Sequence, residues 1–332
     1  MPVTISIKVA EGETPKRIDV YLTRCIENAT RTKVQQAIDE GAVLVNGKPT
    51  KASHKVIGGE FIQITLPKDP PPEVVPENIP LDIIYEDKFL LIVNKPAGMV
   101  VHPAYGNYSG TLVNALLYYY NSLSSLNDVT RPGIVHRIDK NTTGLLVVAK
   151  DNFTHAFLAK QFAAHSIERE YRAIVWGIFP SVKKRNEHTQ VKSGIIEASL
   201  GRSSQDRKKM IVRADGKHAV TEYFVLEEFE FLTFLRLQLQ TGRTHQIRTH
   251  LHHIGYPIFG DAEYGGRKIT GTAATSKRVA EVNNLLEIMK RQALHAKTLG
   301  FIHPATKQYV RFDTPLPFDI EEVLAKQRRK IS

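Results

Sequence analysis

The sequence predicts an α+β fold: a mixed, mostly antiparallel sheet in a larger C-terminal domain, preceded by a small α/β domain. Three observations predict it. Short apolar runs with strand composition recur at 89–93, 145–149, 171–176, 221–226 and 234–239. Helical patterns punctuate them, notably 152–165, where Phe153, Ala156, Phe157 and Phe162 are expected to face the core. Between the two parts Pro67, Pro70, Pro71, Pro72, Pro76 and Pro80 form a stiff, extended linker.

The expected organisation is therefore an N-terminal extension (1–14), a small domain (15–66), the proline-rich linker (67–80), the larger domain (81–318) and a basic tail (319–332). In the small domain Pro15 is expected at a helix start, where its missing amide proton costs little. Ile18, Leu22 and Cys25 with Ile26 then recur at helical spacing. A second helix takes Thr30 as N-cap, turns Val34, Ala37 and Ile38 inward and stops at Gly41, where a left-handed cap favours glycine. Arg31 and Lys33 stay on its outer side. Val43, Leu44 and Val45 run into Asn46-Gly47, a strong hairpin signal, and Ile62, Ile64 and Leu66 alternate on a later strand.

Charge narrows the partner. The 332 residues carry 45 Lys+Arg against 34 Asp+Glu, a formal charge of +11, which favours a polyanion without choosing among RNA, DNA and an anionic membrane face. Ten basic residues against four acids fall in 183–217, a local patch suited to phosphates. The apolar runs are too short to cross a bilayer, so no membrane partner is expected. The charged first dozen residues do not read as a signal peptide, and Cys25, the only cysteine, excludes a disulfide framework and any multi-cysteine metal site. A cytoplasmic protein is expected, with a monomer as the default.

Two segments carry candidate chemistry. In GIVHRIDKNTTGLLVVAK (133–150) a polar loop with His136, Arg137, Asp139 and Lys140 leads straight into an apolar strand, which would display those side chains at the rim of a rigid scaffold. An acid flanked by Arg137 and Lys140 is expected to stay ionised and could act as nucleophile or base, although Asp-Lys-Asn-Thr is also good turn chemistry. In TGRTHQIRTH (241–250), Arg243, His245, Arg248 and His250 follow the strand at 234–239, and Arg248 opposite Asp139 is one arrangement that would orient the carboxylate. His245, His250, His252 and His253 lack zinc-site spacing and sit among arginines, so no metal is expected. Dinucleotide, phosphate-loop and serine-elbow motifs are missing, and no cofactor is expected.

The segment 133–150 resembles the signature of the RluA-type pseudouridine synthases, with Asp139 in the place of the catalytic aspartate and Ile138 replacing the common leucine. The resemblance continues through NKPAG (94–98), EYRAIVWG (170–177), GRTHQIR (242–248), Gly260-Asp261 and QALHA (292–296), spanning most of 80–315. Residues 15–66 resemble the S-four RNA-binding domain, with Gly59-Glu60 where that family usually has Gly-Asp. The domain pair is most similar to the RluD-like subgroup, which modifies large-subunit ribosomal RNA, free or in an assembling subunit. The resemblance implies a cofactor-free isomerase of the pseudouridine synthase fold. Asp139 would be catalytic, Arg248 would orient it, Tyr171 would stack on a flipped uracil, and Arg137 would occupy the opened RNA stack. Lys95, Arg243, Arg31 and Lys33 would hold RNA. A transfer-RNA stem-loop as target, or a non-catalytic ribosome-assembly role, stays open at this point.

Overall fold

The computed structural model describes residues 3–26, 29–66, 74–104, 106–120, 123–124, 131–179, 192–206, 208–269 and 276–330. The chain divides into two compact units, 1–73 and 74–332.

The first unit contains β1 (Val3–Lys8), α1 (Ile18–Cys25), α2 (Arg31–Asp39), β2 (Val43–Val45), β3 (Lys48–Pro49) and β4 (Phe61–Leu66), with sheet order β1-β4-β2-β3. Residues 1–14, expected as an extension, supply β1. Alternation in VTISIK turns Ile5 and Ile7 to the core, and Ile5 pairs with Ile64. The α1 helix starts at Ile18 rather than at Pro15. Val56 N–H donates to Lys16 O (2.9 Å) and Ile18 N–H to His54 O (2.7 Å), so residues 16 and 17 are tied to 54–56 as extended chain. Ile18, Leu22 and Ile26 are buried, whereas Cys25 is exposed. Thr30 caps α2 through Lys33 N, and Asn46 and Gly47 both have positive φ, the conformation a two-residue hairpin demands.

Asp19 ties this unit together. It is fully buried and accepts hydrogen bonds from Arg17, from Arg31 Nε (3.0 Å), from Gln35 Nε2 (2.8 Å) and from Val20 N (3.0 Å). Arg17 foremost, with Arg31 and Gln35 against the opposing effect of burial, holds its carboxyl well below the usual range.

The second unit adds β5 (Ile83–Glu86), β6 (Leu90–Lys95), α3 (Leu112–Tyr119), β7 (Thr143–Ala149), α4 (Asn152–Ala163), β8 (Glu168–Trp176), β9 (Ser193–Arg202), β10 (Met210–Val212), β11 (Lys217–Glu228) and β12 (Leu232–Leu239). It continues through α5 (Gln246–His253), α6 (Ser276–Ile288), β13 (Leu294–Ile302), β14 (Tyr309–Asp313) and α7 (Phe318–Arg328). Ten strands form one sheet in the order β10-β9-β11-β12-β8-β13-β7-β6-β5, with β14 on β13. Every pairing is antiparallel except β7 with β13. This is the mixed, mostly antiparallel α+β architecture expected. The apolar run of β7 is continuous because both its faces are covered: Leu146 and Val148 join the large core cluster, Leu145 and Val147 a second one closed by Leu158, Leu299 and Phe301.

Three expectations change. The helix 152–165 is rotated: Asp151 caps α4 and buries Thr154, His155 and Leu158, leaving Phe153 and Ala156 exposed. Phe153 instead stacks on Phe157 with Lys307 above both rings. Residues 319–332, expected as a basic tail, form α7 as far as Arg328, its Ile320, Val323 and Leu324 buried. Within the linker, 67–73 lie outside the described residues, while Val74 and Ile79 pack on the large core and Val75 O accepts Asn114 Nδ2 (2.7 Å). Residues 183–191 and 207 of the basic patch also lie outside the described residues.

Gly144 lies where β7 runs beside β13. Its φ is +115°, and a Cβ there would stand 2.2 Å from Ala296 O. Gly144→Ala is expected to cost about 3 kcal/mol or more from backbone strain and overpacking, read as a lower thermal midpoint of the large unit. Asp19→Asn is expected to cost the small unit about 1–3 kcal/mol at neutral pH. Because the folded carboxyl is depressed, its stabilisation is complete above the unfolded value near ~3.9 and fades as pH falls through the folded one. Acid titration of unfolding should therefore lose this component in the variant.

Candidate active site

The loop entering β7 is pinned from several sides. His136 Nε2 accepts Val147 N–H (3.1 Å), and its ring stacks on Phe162. Burial first, then the charge of Arg169, pushes this imidazole down to about 3, so it is neutral. Ile138 is buried, which turns the next side chain, Asp139, out into a cleft. Lys95 Nζ donates to the carbonyls of Pro96 (2.7 Å), Met99 (2.8 Å) and Lys140 (3.0 Å). Arg291 Nη1 donates to Asn141 O (3.1 Å), and its Nε and Nη2 hold Asp319 of α7 at 2.7 and 2.8 Å.

Arg248 comes from the first turn of α5. The approach to that helix is folded around Gln246, whose Oε1 accepts Arg243 N–H (2.9 Å) and Thr241 Oγ1–H (2.8 Å). Arg248 grips Asp261 with Nε (2.7 Å) and Nη2 (2.9 Å), shares Nη2 with Glu263 (2.5 Å) and points Nη1 at Asp139 Oδ2 (3.2 Å). Its guanidinium carbon lies 4.8 Å from the Tyr264 ring centroid. Burial alone would depress this guanidinium, but Asp261, Asp139 and Glu263 raise it above the ordinary arginine value. Arg248 is thus a permanent cation with two fixed anchors and one arm for Asp139.

The pair stands between two hollows. One, about 540 Å³, is walled by Asp139, Tyr171, Arg137, Arg169, Arg243 and His245; the other, about 310 Å³, adds Lys140, Lys290 and Arg291. Tyr171 enters from β8 and is buried; burial pushes its phenol up to about 12, so it is a neutral ring on the cleft wall. Arg137 is exposed at the rim, 3.5 Å from His102 Nε2, and half-buried Arg243 donates to His218 O (3.2 Å). In the other unit Arg31 and Lys33 are exposed on α2, Arg31 with its Nε on Asp19.

One expected RNA contact is corrected: Lys95 has no exposed surface and donates to three carbonyls, so it braces the Asp139 loop and has no reach to a phosphate. Burial, followed by the opposing charge of Asp139 and the reinforcing charge of Arg291, pushes its ammonium down to about 7. In the sequence Asp261 stood only within the resemblance, and Glu263, Tyr264 and Arg169 were given no role. Gly260-Asp261 carried the signal, but nothing local marks which cation a distant acid will hold. His250, considered above as a metal ligand, is buried against Thr221 Oγ1 (3.0 Å) and Ala198 O (3.3 Å).

A carboxylate oriented by a guanidinium, in a cleft with an aromatic wall and a basic rim, suits nucleophilic or general-base chemistry on a polyanion. Comparison with known proteins decides the family. Residues 89–253 match the RNA pseudouridylate synthase family and 16–62 the S4 domain. An uncharacterized RNA pseudouridine synthase of Chlorobaculum parvum is 47% identical over 98% of both chains. The chain belongs to the RNA pseudouridine synthases.

A ribosomal large subunit pseudouridine synthase D of Zymomonas mobilis is 43% identical over 92% of each chain, and one of Pasteurella multocida 40% identical over 97% of this chain and 94% of its own. The human RNA pseudouridylate synthase domain containing 4 shares the fold at a TM-score of 0.55 and 24% identity, covering 74% of this chain and 92% of that one. The synthase is accordingly an isomerase acting on RNA. Among its described residues no helix is long and apolar enough to cross a membrane.

Asp261→Asn should weaken the hold on Arg248 and lower the single-turnover rate of pseudouridine formation about 10- to 100-fold, with RNA affinity changed little. Glu263→Gln, at the more exposed anchor, should cost less. Equal rates in wild type and Asp261→Asn would show that Asp139 does not depend on this anchor.

Proposed function

We propose that this synthase isomerises uridines in large-subunit ribosomal RNA, in the stem-loop that faces the other subunit, by drawing the target nucleotide into the cleft against Asp139. The observation that carries the reading is the Asp139–Arg248 contact at the floor of a cleft rimmed by basic residues. The relatives named for the large ribosomal subunit, the S4 domain and the charge of +11 support the choice of RNA.

The reaction breaks the bond from ribose C1′ to uracil N1, turns the base and closes a bond from C1′ to C5; the C5 proton leaves and N1 ends protonated. Atoms and electrons balance without an oxidant. Asp139 assists the first step, by attack on C1′ or by taking a ribose proton, while Arg248 holds its other edge in place. The base must leave the stack at a cost of a few kcal/mol, least in a loop. Tyr171 offers its face to the everted uracil, and Arg137 at the rim takes the vacated place. Arg243, with Arg31 and Lys33 on the small unit, holds phosphates without reading sequence.

Asp139→Asn is expected to abolish conversion while RNA binding stays within a few-fold, and retained conversion would remove the assigned carboxylate. Carbodiimide mapping of ribosomal and transfer RNA from a deletion strain should show lost pseudouridines in large-subunit RNA. Losses confined to transfer RNA would overturn the target, and no loss in either, with binding intact, would favour a non-catalytic assembly role.

A further inference from the structure

We infer that His245 is a positioning residue for Asp139: a neutral imidazole whose Nε2–H is directed at the carboxylate oxygen that Arg248 leaves open, with its tautomer set by Tyr264. The inference rests on the role of Asp139 proposed above.

Hydrogen-bond accounting carries it. Arg248 Nη1 occupies Asp139 Oδ2, and the other oxygen, Oδ1, faces His245 Nε2 at 3.9 Å. The second ring nitrogen, Nδ1, lies 2.9 Å from the Tyr264 hydroxyl. That hydroxyl accepts the Met210 amide proton at 2.8 Å and also bonds the Thr249 side chain; with both as donors its acceptor sites are filled, and its own single proton goes to Nδ1. An imidazole that accepts at Nδ1 carries its proton at Nε2, the nitrogen nearer Asp139. Burial holds His245 below the ordinary histidine range despite the nearby acids, which keeps one proton on the ring.

The backbone points the same way. His245 caps α5 in a left-handed conformation, φ 51° and ψ 21°, which costs a non-glycine residue about 1 kcal/mol or more. In this conformation the ring lies where the two hollows meet beside Asp139. At 3.9 Å the contact is longer than a hydrogen bond, and contacts of this kind tighten when substrate closes a site. With the proton on Nε2 the approach is attractive. With the proton on Nδ1, two lone pairs would face each other and Asp139 would be pushed from its place. Tyr264 therefore acts on the carboxylate from one residue further away.

The test separates tautomer, donor and backbone. In ¹⁵N-histidine-labelled full-length protein, with the His245 signals assigned by their loss in His245→Gln, Nδ1 should resonate as an unprotonated nitrogen and Nε2 as a protonated one. The Tyr264→Phe variant should gain the Nδ1-protonated form. A wild-type ring protonated at Nδ1 overturns the inference. In single-turnover assays His245→Gln, which places an amide N–H near the Nε2 position, should keep its rate within about threefold; His245→Asn, whose amide reaches only the Nδ1 position, should lose about tenfold or more with KM unchanged. Asparagine tolerates the left-handed backbone better than glutamine. An Asn variant faster than the Gln variant would therefore assign His245 a backbone role and overturn the proposal. The NMR readout needs no RNA: a wild-type protein that converts none would sink the Asp139 reading while the tautomer still decides the Tyr264–His245 geometry.

Discussion

One cation shared among three carboxylates organises the large unit. Arg248 holds Asp139 with Nη1 while its Nε and Nη2 are spent on Asp261 and Glu263. A buried guanidinium with a missing partner, or a buried acid with none, costs several kcal/mol. Arg248 and Asp261, both buried, are therefore stable only as partners, with Asp139 and Glu263 completing the set. The surplus negative charge of the three acids is met by Arg137, Lys140, Lys290 and Arg291 around the same hollows, the same charges that suit the rim to a polyanion.

The sheet makes such a set reachable. Asp139 precedes β7, Tyr171 lies on β8 and the turn carrying His245 follows β12, all near the middle of one sheet. Their separation in sequence disappears in register, since β13 lies against both β7 and β8. Gly144 is where this convergence is tightest, with no room for even one methyl group between the neighbouring backbones.

Much of this was legible in the residues. Strand runs, the Asn46-Gly47 turn and the Thr30 cap are local signals, written in the residues that obey them, and the polar segment at 133–150 announced itself as a loop fixed to a strand; that 241–250 runs into helix α5 was not read. What stayed hidden is non-local. The face that α4 buries depends on what covers β7, so Phe153 looked like core and is not. Lys95 looked like a phosphate ligand because its sequence neighbourhood cannot show that three carbonyls converge on its amine. The strand at Val3–Lys8 was missed because its partner, Phe61–Leu66, lies more than fifty residues away.

The brace that Arg291 forms between Asn141 and Asp319 has a temporal side. Residues holding the Asp139 loop are scattered from position 95 to position 319, so a chain that stops short of α7 lacks one of its ties. The wide sequence separation of these ties means that the pocket closes only through contacts that span most of the large unit, the kind of topology that slows folding.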